Sequence, residues 1–220
     1  TCPPDRILRR IEKPERIYTF GDLTIYDIGE NLAGFAVLKF KKEAQANQHI
    51  FVRYAENLKE DGSLDFRSTG GIARTAIDEF CSGDDNDILL YPRFLWHAGR
   101  YIEVQGEHEF VSFCLAATDV TKTADFSCSD PVLNWLFQAY VRTQQSNIHC
   151  CVPSDCPHRE RLGYTGDGQL TSRAAMTVFD AKEMYRKWIR DIADGQDITG
   201  GHVQHTAPFY GGGGGPGGWG

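Results

Sequence analysis

The sequence predicts a multidomain protein in which an antiparallel β-sandwich is followed by a group of amphipathic α-helices. Up to about residue 125, apolar residues alternate with polar ones in short runs, which is the period of β-strands. Beyond that point they recur at intervals of three and four residues, which is the period of α-helices. We therefore predict a β domain over residues 1–125 and a helical domain over residues 126–220.

The predicted strands are rich in Val, Ile, Phe, Tyr and Thr, the residues that favour β-structure. Turn-forming sequences such as Gly29-Glu30-Asn31 and Asp61-Gly62-Ser63 separate them. Several short strands at this spacing are typical of an antiparallel sandwich. The runs cover residues 23–28, 35–40, 50–55, 75–80, 100–104 and 111–117.

Three helices are predicted after residue 125. Ser129 or Asp130 can cap the first, and Pro131 suits its first turn. The second is expected over about residues 169–178, and the third from Asp180 to a stop at Gly195.

The apolar faces of these helices need more partners than 220 residues supply. Trp135 and Trp188 lie at apolar helical positions, so both are expected in the core of the helical domain. The glycine-rich residues 211–220 form either a flexible linker or an interrupted loop that faces the substrate. The unpartnered helix faces favour the second alternative, so the helical domain is predicted to be incomplete.

The formal net charge is −7, and the basic residues are scattered along the chain. This distribution argues against a nucleic-acid partner. No run approaches 18 consecutive apolar residues, so no membrane-spanning segment is predicted. A neutral substrate such as a sugar is compatible with this composition, and the sequence leaves a homodimer open.

Seven cysteines are present without a CxxC pair. Their odd number and low density are unlike a disulfide scaffold, so buried free thiols are expected. Cys150, Cys151 and Cys156 lie near His149 and His158, but this single run lacks the paired spacing of structural zinc sites. We therefore predict no metal site and no cofactor.

The chemistry is expected in the charged loop over residues 155–167, which reads DCPHRERLGYTGD. It contains three carboxylates and two arginines. Glycoside hydrolysis requires one carboxyl group that protonates the leaving oxygen and a second that acts as base or nucleophile. The alternative is a structural ion-pair network or a solvated surface loop. The residue types alone do not name a substrate.

This loop resembles the active-site loop of the bacterial α-L-rhamnosidases of glycoside hydrolase family 78. The carboxylates of Asp155, Glu160 and Asp167 match the acidic positions of that family. Many members have one more residue between the Arg and the Glu, and often Trp where Tyr164 stands. These two differences leave all three carboxylates in place.

The resemblance extends through the β domain. Residues 26–34, YDIGENLAG, resemble the D-G-N-G strand and turn of the family. Residues 54–58 and 61–63 resemble its next strand and turn, and residues 91–104 resemble the P-R-F-H-G-R-Y-E-V segment before its helical domain. The matches run from about Tyr26 to Trp219.

The resemblance implies that the helices begin an (α/α)6 barrel. It also implies hydrolysis of terminal non-reducing α-L-rhamnose residues, with inversion at the anomeric carbon and Glu160 as the general acid. The general base is expected beyond Gly220. Either the bacterial cytoplasm or the periplasm is compatible with this function. The residues expected to bind the substrate or support the acid are Asp155, Arg159, Tyr164, Asp167 and Trp219.

Two alternatives to this function remain open at the level of sequence. The chain can be a carbohydrate-binding sandwich without catalysis of its own. It can also belong to a relative that acts on a different sugar, because paired carboxylates serve glycoside hydrolysis generally.

Overall fold

A computed structural model of the protein describes residues 2–41, 46–83, 87–209 and 211. The chain falls into two compact units. One comprises residues 7–116, and the other comprises the segment up to Arg6 together with the residues from Ala117 onward. The first contains most of an antiparallel sheet and the second contains three helices, which confirms the predicted class of β followed by α.

The main sheet has seven strands in the order β1-β9-β3-β8-β4-β7, with β2 paired to β3, and two short hairpins (β5-β6 and β10-β11) accompany it. The strands are β1 (Asp5–Glu12), β2 (Glu15–Phe20), β3 (Leu23–Phe40), β4 (His49–Ala55), β5 (Asn57–Leu58), β6 (Leu64–Asp65), β7 (Asp78–Cys81), β8 (His97–Gln105), β9 (His108–Thr118), β10 (Ile148–His149) and β11 (Val152–Pro153).

The long strand β3 organises the sheet. Its first half lies between β2 and β8, and its second half pairs with β9. The register with β8 shifts between Asp27 and Leu32, where Gly29 has a φ of 84°. The segment predicted as a turn, residues 29–31, is therefore an irregular stretch within one strand. Glycine suits this position because it has no Cβ to oppose a left-handed backbone.

Both halves of β3 contribute to the main buried cluster of the β unit, and a second, smaller cluster contains Ile25 of β3 with Ala55, Leu64 and Phe66. The main cluster includes Tyr26 and Leu38 from the two halves, with Val52, Val104 and Phe113 from neighbouring strands. Alternating apolar residues in β4, β8 and β9 supply the inward-facing side chains, as the sequence pattern predicts. Strands β1 and β2 were not predicted, because they are largely exposed and lack that alternation.

An ion pair joins β3 to β8 beside the register shift. Arg100 donates from Nε and a terminal nitrogen to the two carboxylate oxygens of Asp27, both at 2.8 Å. The Gly29 backbone N–H donates to the same carboxylate at 2.6 Å. The hydrogen bond from Arg100 is the main reason that the pKa of Asp27 is lowered. The pair connects the two segments of the β domain that resemble the rhamnosidases, residues 26–34 and 91–104.

The second unit contains α1 (Pro131–Ser146), α2 (Thr165–Val178) and α3 (Lys182–Asp194). Asp130 is the N-cap of α1, since its carboxylate accepts from the Val132 N–H at 2.8 Å. Helix α2 begins four residues before the predicted start, and α3 begins two residues after it. None of the helices among the described residues is long and apolar enough to cross a membrane.

Burial in the second unit is uneven along α1. Trp188 of α3 is 4% exposed and belongs to the core together with Val141, Ile148 and Met184, as predicted. Trp135 is 63% exposed and does not belong to the core that the described residues form. The reason is that only the C-terminal turns of α1 pack against the rest of the unit.

The expectation of buried free thiols is wrong for most cysteines. Cys2 and Cys151 form a disulfide across 149 residues of sequence. Of the free cysteines among the described residues, Cys114 is buried, whereas Cys81, Cys128 and Cys150 are exposed. The disulfide forms because the tertiary structure brings the N-terminal segment beside the β10-β11 hairpin, and sequence spacing does not reveal such a contact.

Polar contacts reinforce this attachment. Cys150 and Cys151 form the hairpin turn with φ values of 54° and 57°, the left-handed geometry of a two-residue type I′ turn. The Cys150 N–H donates to the Asp5 carboxylate at 2.8 Å, and the Cys151 N–H donates to the Thr118 hydroxyl at 3.0 Å. The hairpin immediately precedes the charged loop.

We expect Asp27→Asn to destabilise the protein by about 1–2 kcal/mol at neutral pH, since it removes one charge from a partly exposed ion pair. The folded-state pKa of Asp27 is lowered, so its stabilisation is complete above the unfolded-state value of about 3.9 and is lost as the pH falls below it. Urea unfolding between pH 7 and pH 2.5 should show the variant and the native protein converging at low pH. Glu60→Gln, at an exposed site, serves as the control. A constant difference across that range would contradict the assignment.

We expect Cys2→Ser to lower the free energy of unfolding by about 2–5 kcal/mol, because the disulfide closes a long loop in the unfolded chain. Thermal unfolding should show that dithiothreitol lowers the Tm of the native protein and leaves that of the variant unchanged. Cys81→Ser removes an exposed free thiol and should have little effect. Equal Tm values for Cys2→Ser and the native protein would mean that the crosslink is absent in solution.

Candidate active site

The charged loop lies between β11 and α2 and is closed by its own hydrogen bonds. The Asp155 N–H donates to the Leu162 carbonyl at 3.0 Å, and the Leu162 N–H donates to Oδ1 of Asp155 at 3.1 Å. The Arg161 N–H donates to the Cys156 carbonyl at 3.1 Å, and Arg161 has a φ of 58°. The loop is therefore a compact turn in which the Asp155 side chain has a structural partner.

Closure of the loop brings Asp155 and Glu160 together, and their carboxyl groups share a hydrogen bond. Burial is the main cause that raises the pKa of Asp155, and the hydrogen bond to Glu160 adds to it. The same hydrogen bond is the main cause that lowers the pKa of Glu160. Two carboxylates in contact resist a double negative charge. Contact between the two carboxyl groups and the greater burial of Asp155 therefore shift their two pKa values in opposite directions.

Arg159 completes this group of charges. Its guanidinium lies 3.0 Å from Oε1 of Glu160, and the two side chains are 47% and 37% exposed. An ion pair this exposed contributes little to folding stability. Its local effect is to lower the pKa of Glu160 further and to hold the carboxylate in place. Two neighbours, Asp155 and Arg159, thus lower the pKa of Glu160.

Sequence analysis did not assign Cys156 to the site. Its thiol lies 3.2 Å from Oδ2 of Asp155 and 3.6 Å from Oε2 of Glu160. Burial is the main cause that raises the pKa of Cys156, which keeps the thiol protonated and able to donate to both carboxyl groups. Its position directly after Asp155 was the available signal, but adjacency does not reveal the turn that also brings Glu160 to the sulfur.

The ligand atoms of Asp155, Cys156 and Glu160 all lie within 4.8 Å of one another. Their closeness follows from the turn of the loop and the thiol hydrogen bonds. A cluster of this kind does not by itself define a metal site. The run of cysteines and histidines noted in the sequence does not form a single cluster at this site, because Cys151 is bonded to Cys2.

Residues 205–207 fix the end of the loop and the start of α2. The Thr165 N–H donates to the His205 carbonyl at 2.8 Å, and the Ala207 N–H donates to the Gly163 carbonyl at 2.9 Å. Tyr164 lies between these two contacts and precedes α2. The early start of α2 follows from this pairing, because Gly166 and Gly168 are weak helix formers on their own.

Asp167 lies in the first turn of α2, where the helix dipole favours a negative charge. Glycines allow Trp188 to pack against this turn. A Cβ at Gly168 would lie 2.2 Å from Cη2 of Trp188, and the Trp188 Nε1–H donates to the Ala207 carbonyl at 2.9 Å. The indole thus connects α3, the start of α2 and the 205–207 segment.

The structure brings three of the predicted site residues into one group: Asp155, Arg159 and Glu160. Tyr164 and Asp167 follow at the end of the same loop and in the helix that it enters, and both are half-buried. Trp219 lies outside the described residues. The geometry is that of a carboxyl pair with one arginine, which can hold and transfer a proton.

Two family models match this chain. The model of the bacterial α-L-rhamnosidase concanavalin-like domain matches residues 19–124. The model of the bacterial α-L-rhamnosidase 6 hairpin glycosidase domain matches residues 121–220. A β domain followed by the start of a helical glycosidase domain is the organisation of a class of glycoside hydrolases. Within that class, this chain belongs to the family of bacterial α-L-rhamnosidases.

Individual relatives agree with this family. An α-L-rhamnosidase of Formosa agariphila is 31% identical over 207 residues, which are 90% of this chain and 21% of that protein. The structure of an α-L-rhamnosidase from Dictyoglumus thermophilum matches with a TM-score of 0.85 and 30% identity, over 94% of this chain and 24% of that one. The α-L-rhamnosidase of Streptomyces avermitilis, solved in complex with L-rhamnose, matches with a TM-score of 0.84 and 27% identity, over 96% and 20%. The chain thus spans about a fifth to a quarter of the length of these relatives.

We expect Gly168→Ala to destabilise the second unit. The new methyl group would overlap Trp188, and overpacking of this kind costs about 1–3 kcal/mol, whereas alanine gains up to about 1 kcal/mol in a helix. Urea unfolding followed by tryptophan fluorescence measures the difference. Gly83→Ala is the matched control, because its Cβ would meet nothing within 4 Å. A Gly168→Ala protein as stable as the native one would show that the indole does not pack on this glycine.

Proposed function

We propose that the complete protein hydrolyses terminal non-reducing α-L-rhamnose residues of rhamnosides with inversion, and that this chain supplies the general acid, Glu160. The observation that carries the proposal is the grouping of Asp155, Arg159 and Glu160 in the loop that resembles the family's active site, where the Arg159 guanidinium lies 3.0 Å from Glu160. The names of the relatives support the substrate. The chain spans about a fifth of the length of the Formosa agariphila relative, so hydrolysis is proposed for the complete protein.

In the proposed reaction, Glu160 donates a proton to the glycosidic oxygen as the bond to the leaving group breaks. Asp155 is the neighbouring reserve of that proton, because the two carboxyl groups are hydrogen-bonded. Bound sugar removes water from the half-exposed Glu160, and desolvation raises the pKa of a carboxyl group, which is the shift that a general acid requires. Arg159 stabilises the carboxylate that remains after proton transfer.

The contact between the two carboxyl groups argues against Asp155 as the general base. In inverting enzymes the two catalytic carboxyl groups are roughly 6.5–9.5 Å apart, so that a water molecule fits between the base and the sugar. Carboxyl groups in direct hydrogen-bond contact leave no such room. We therefore assign Asp155 as a positioning residue and the base to a carboxylate beyond Gly220. Arg159, Tyr164, Asp167 and Trp219 are assigned to the sugar.

We expect Glu160→Gln in the complete protein to reduce kcat for an aryl α-L-rhamnoside by about 10²–10⁴-fold, the usual contribution of a general acid. The substitution keeps the shape of the side chain, so circular dichroism and Tm should change little. Substrates with very good leaving groups need less protonation and should be affected least.

Glu183→Gln is the matched control, since Glu183 is an exposed glutamate of α3 paired with Arg186. Its kcat should equal that of the native protein. Near-native turnover of Glu160→Gln on a substrate with a poor leaving group would refute the assignment of the acid.

A further inference from the structure

The β unit has an open cavity of about 550 Å³ that hydrolysis by the charged loop does not use. It lies beside the first half of β3, next to the β2-β3 and β8-β9 turns. Its lining residues come from segments within residues 13–26, Lys41 and residues 106–110. The volume is within the range of about 300–1,000 Å³ that is typical of small-molecule sites.

The cavity continues the inner face of the sheet. On β3, Thr24 and Tyr26 face the same side as the core, since they lie opposite the buried residues Val104 and Ile102 of β8. On the other side of β3, Arg16 of β2 lies opposite Tyr26, and Thr19 lies opposite Thr24. The inner face therefore changes from apolar to polar at β2. Arg16 and Thr19 are exposed and line the cavity, so their polar groups are available to a ligand.

Aromatic rings form the floor of the cavity and are held rigidly. The ring centroid of Tyr26 lies 4.5 Å from that of Phe110 and 5.7 Å from that of His108. His108 Nδ1 donates to the Gly106 carbonyl at 2.6 Å, so its Nε2 accepts from the Tyr26 hydroxyl at 2.8 Å. Burial lowers the pKa of His108, which agrees with a neutral ring.

The charges that line the cavity are balanced. The basic residues Lys13, Arg16 and Lys41 are matched by three carboxylates, and one of these, Glu107, is paired with Lys41. An anion such as phosphate would meet carboxylates as well as cations, and a purely apolar ligand would leave the polar groups unpaired. An uncharged ligand with many hydroxyl groups suits both the charged and the aromatic residues of the lining. Its hydroxyls donate and accept hydrogen bonds, and the C–H faces of a sugar pack on aromatic rings.

We propose that this cavity is a carbohydrate-binding site that takes a neutral mono- or disaccharide unit. Arg16, Thr19 and Thr24 bind the sugar hydroxyls, while the rings of Tyr26 and Phe110 support one face of the sugar. The site goes beyond the proposed hydrolysis, because its lining residues all belong to the β unit and none to the charged loop. The β unit, which does not contain the proposed general acid, would thus bind a saccharide by itself.

The experiment titrates the 220-residue protein with L-rhamnose, D-glucose and D-galactose by calorimetry, with inorganic phosphate as the anionic probe. At least one sugar should bind saturably and shift the aromatic NMR signals of Tyr26 and Phe110. Arg16→Ala should weaken that binding by about tenfold, the effect of one hydrogen bond to a charged group. Thr24→Val should weaken it by a smaller factor.

Two controls separate this site from the charged loop. Arg10→Ala removes an exposed arginine of β1 that does not line the cavity and should leave binding within twofold of native. Glu160→Gln should also leave it unchanged, so loss of hydrolysis and loss of this binding are distinguishable. The proposal is overturned if none of the sugars binds saturably, if Arg16→Ala binds as the native protein does, or if phosphate binds more tightly than every sugar.

Discussion

Closure of the loop between Asp155 and Leu162 is the constraint on which the candidate active site depends. The backbone N–H and the carboxylate of Asp155 are both engaged with Leu162, which turns the chain back on itself and brings Glu160 to the same carboxyl group. Without this turn, three acidic residues in a stretch of thirteen would be solvated surface charges. With it, the two carboxyl groups are in contact; burial raises the pKa of Asp155, and the hydrogen bond with Asp155 lowers that of Glu160.

Closure of the loop depends on packing by residues that are remote from it in sequence. The β10-β11 hairpin enters the loop and is held by the Cys2–Cys151 disulfide and the Asp5 carboxylate. The loop leaves through the start of α2, which pairs with residues 205–207 and packs on Trp188. The carboxyl pair is therefore supported at both ends by elements that come from the beginning and the end of the chain. Such support holds the carboxyl pair in a fixed arrangement.

The fold of the β unit depends on a different feature, the register shift within β3. Its core is built by one long strand, β3, whose register shift lets the sheet curl around its own apolar face. Asp27 and Arg100 fix that shift, which explains why aspartate and glycine stand together in residues 26–34 and arginine follows glycine in residues 91–104. Where the sheet reaches β2, the inward side chains become polar and a cavity takes the place of the core.

The sequence by itself determined the features that depend on local chemistry. Hydrophobic period separated strands from helices, Asp130 and Pro131 marked the start of α1, and the motif over residues 155–167 located the charged loop and its family. Tertiary structure alone decided the exposure of Trp135, the disulfide, the early start of α2, the role of Cys156 and the lowered pKa of Glu160. Each of these depends on which residues, distant in sequence, come into contact, and on how much water they exclude. Periodicity and motif spacing carry information about neighbours along the chain, whereas burial and the pKa shifts that follow from it are set by neighbours in space.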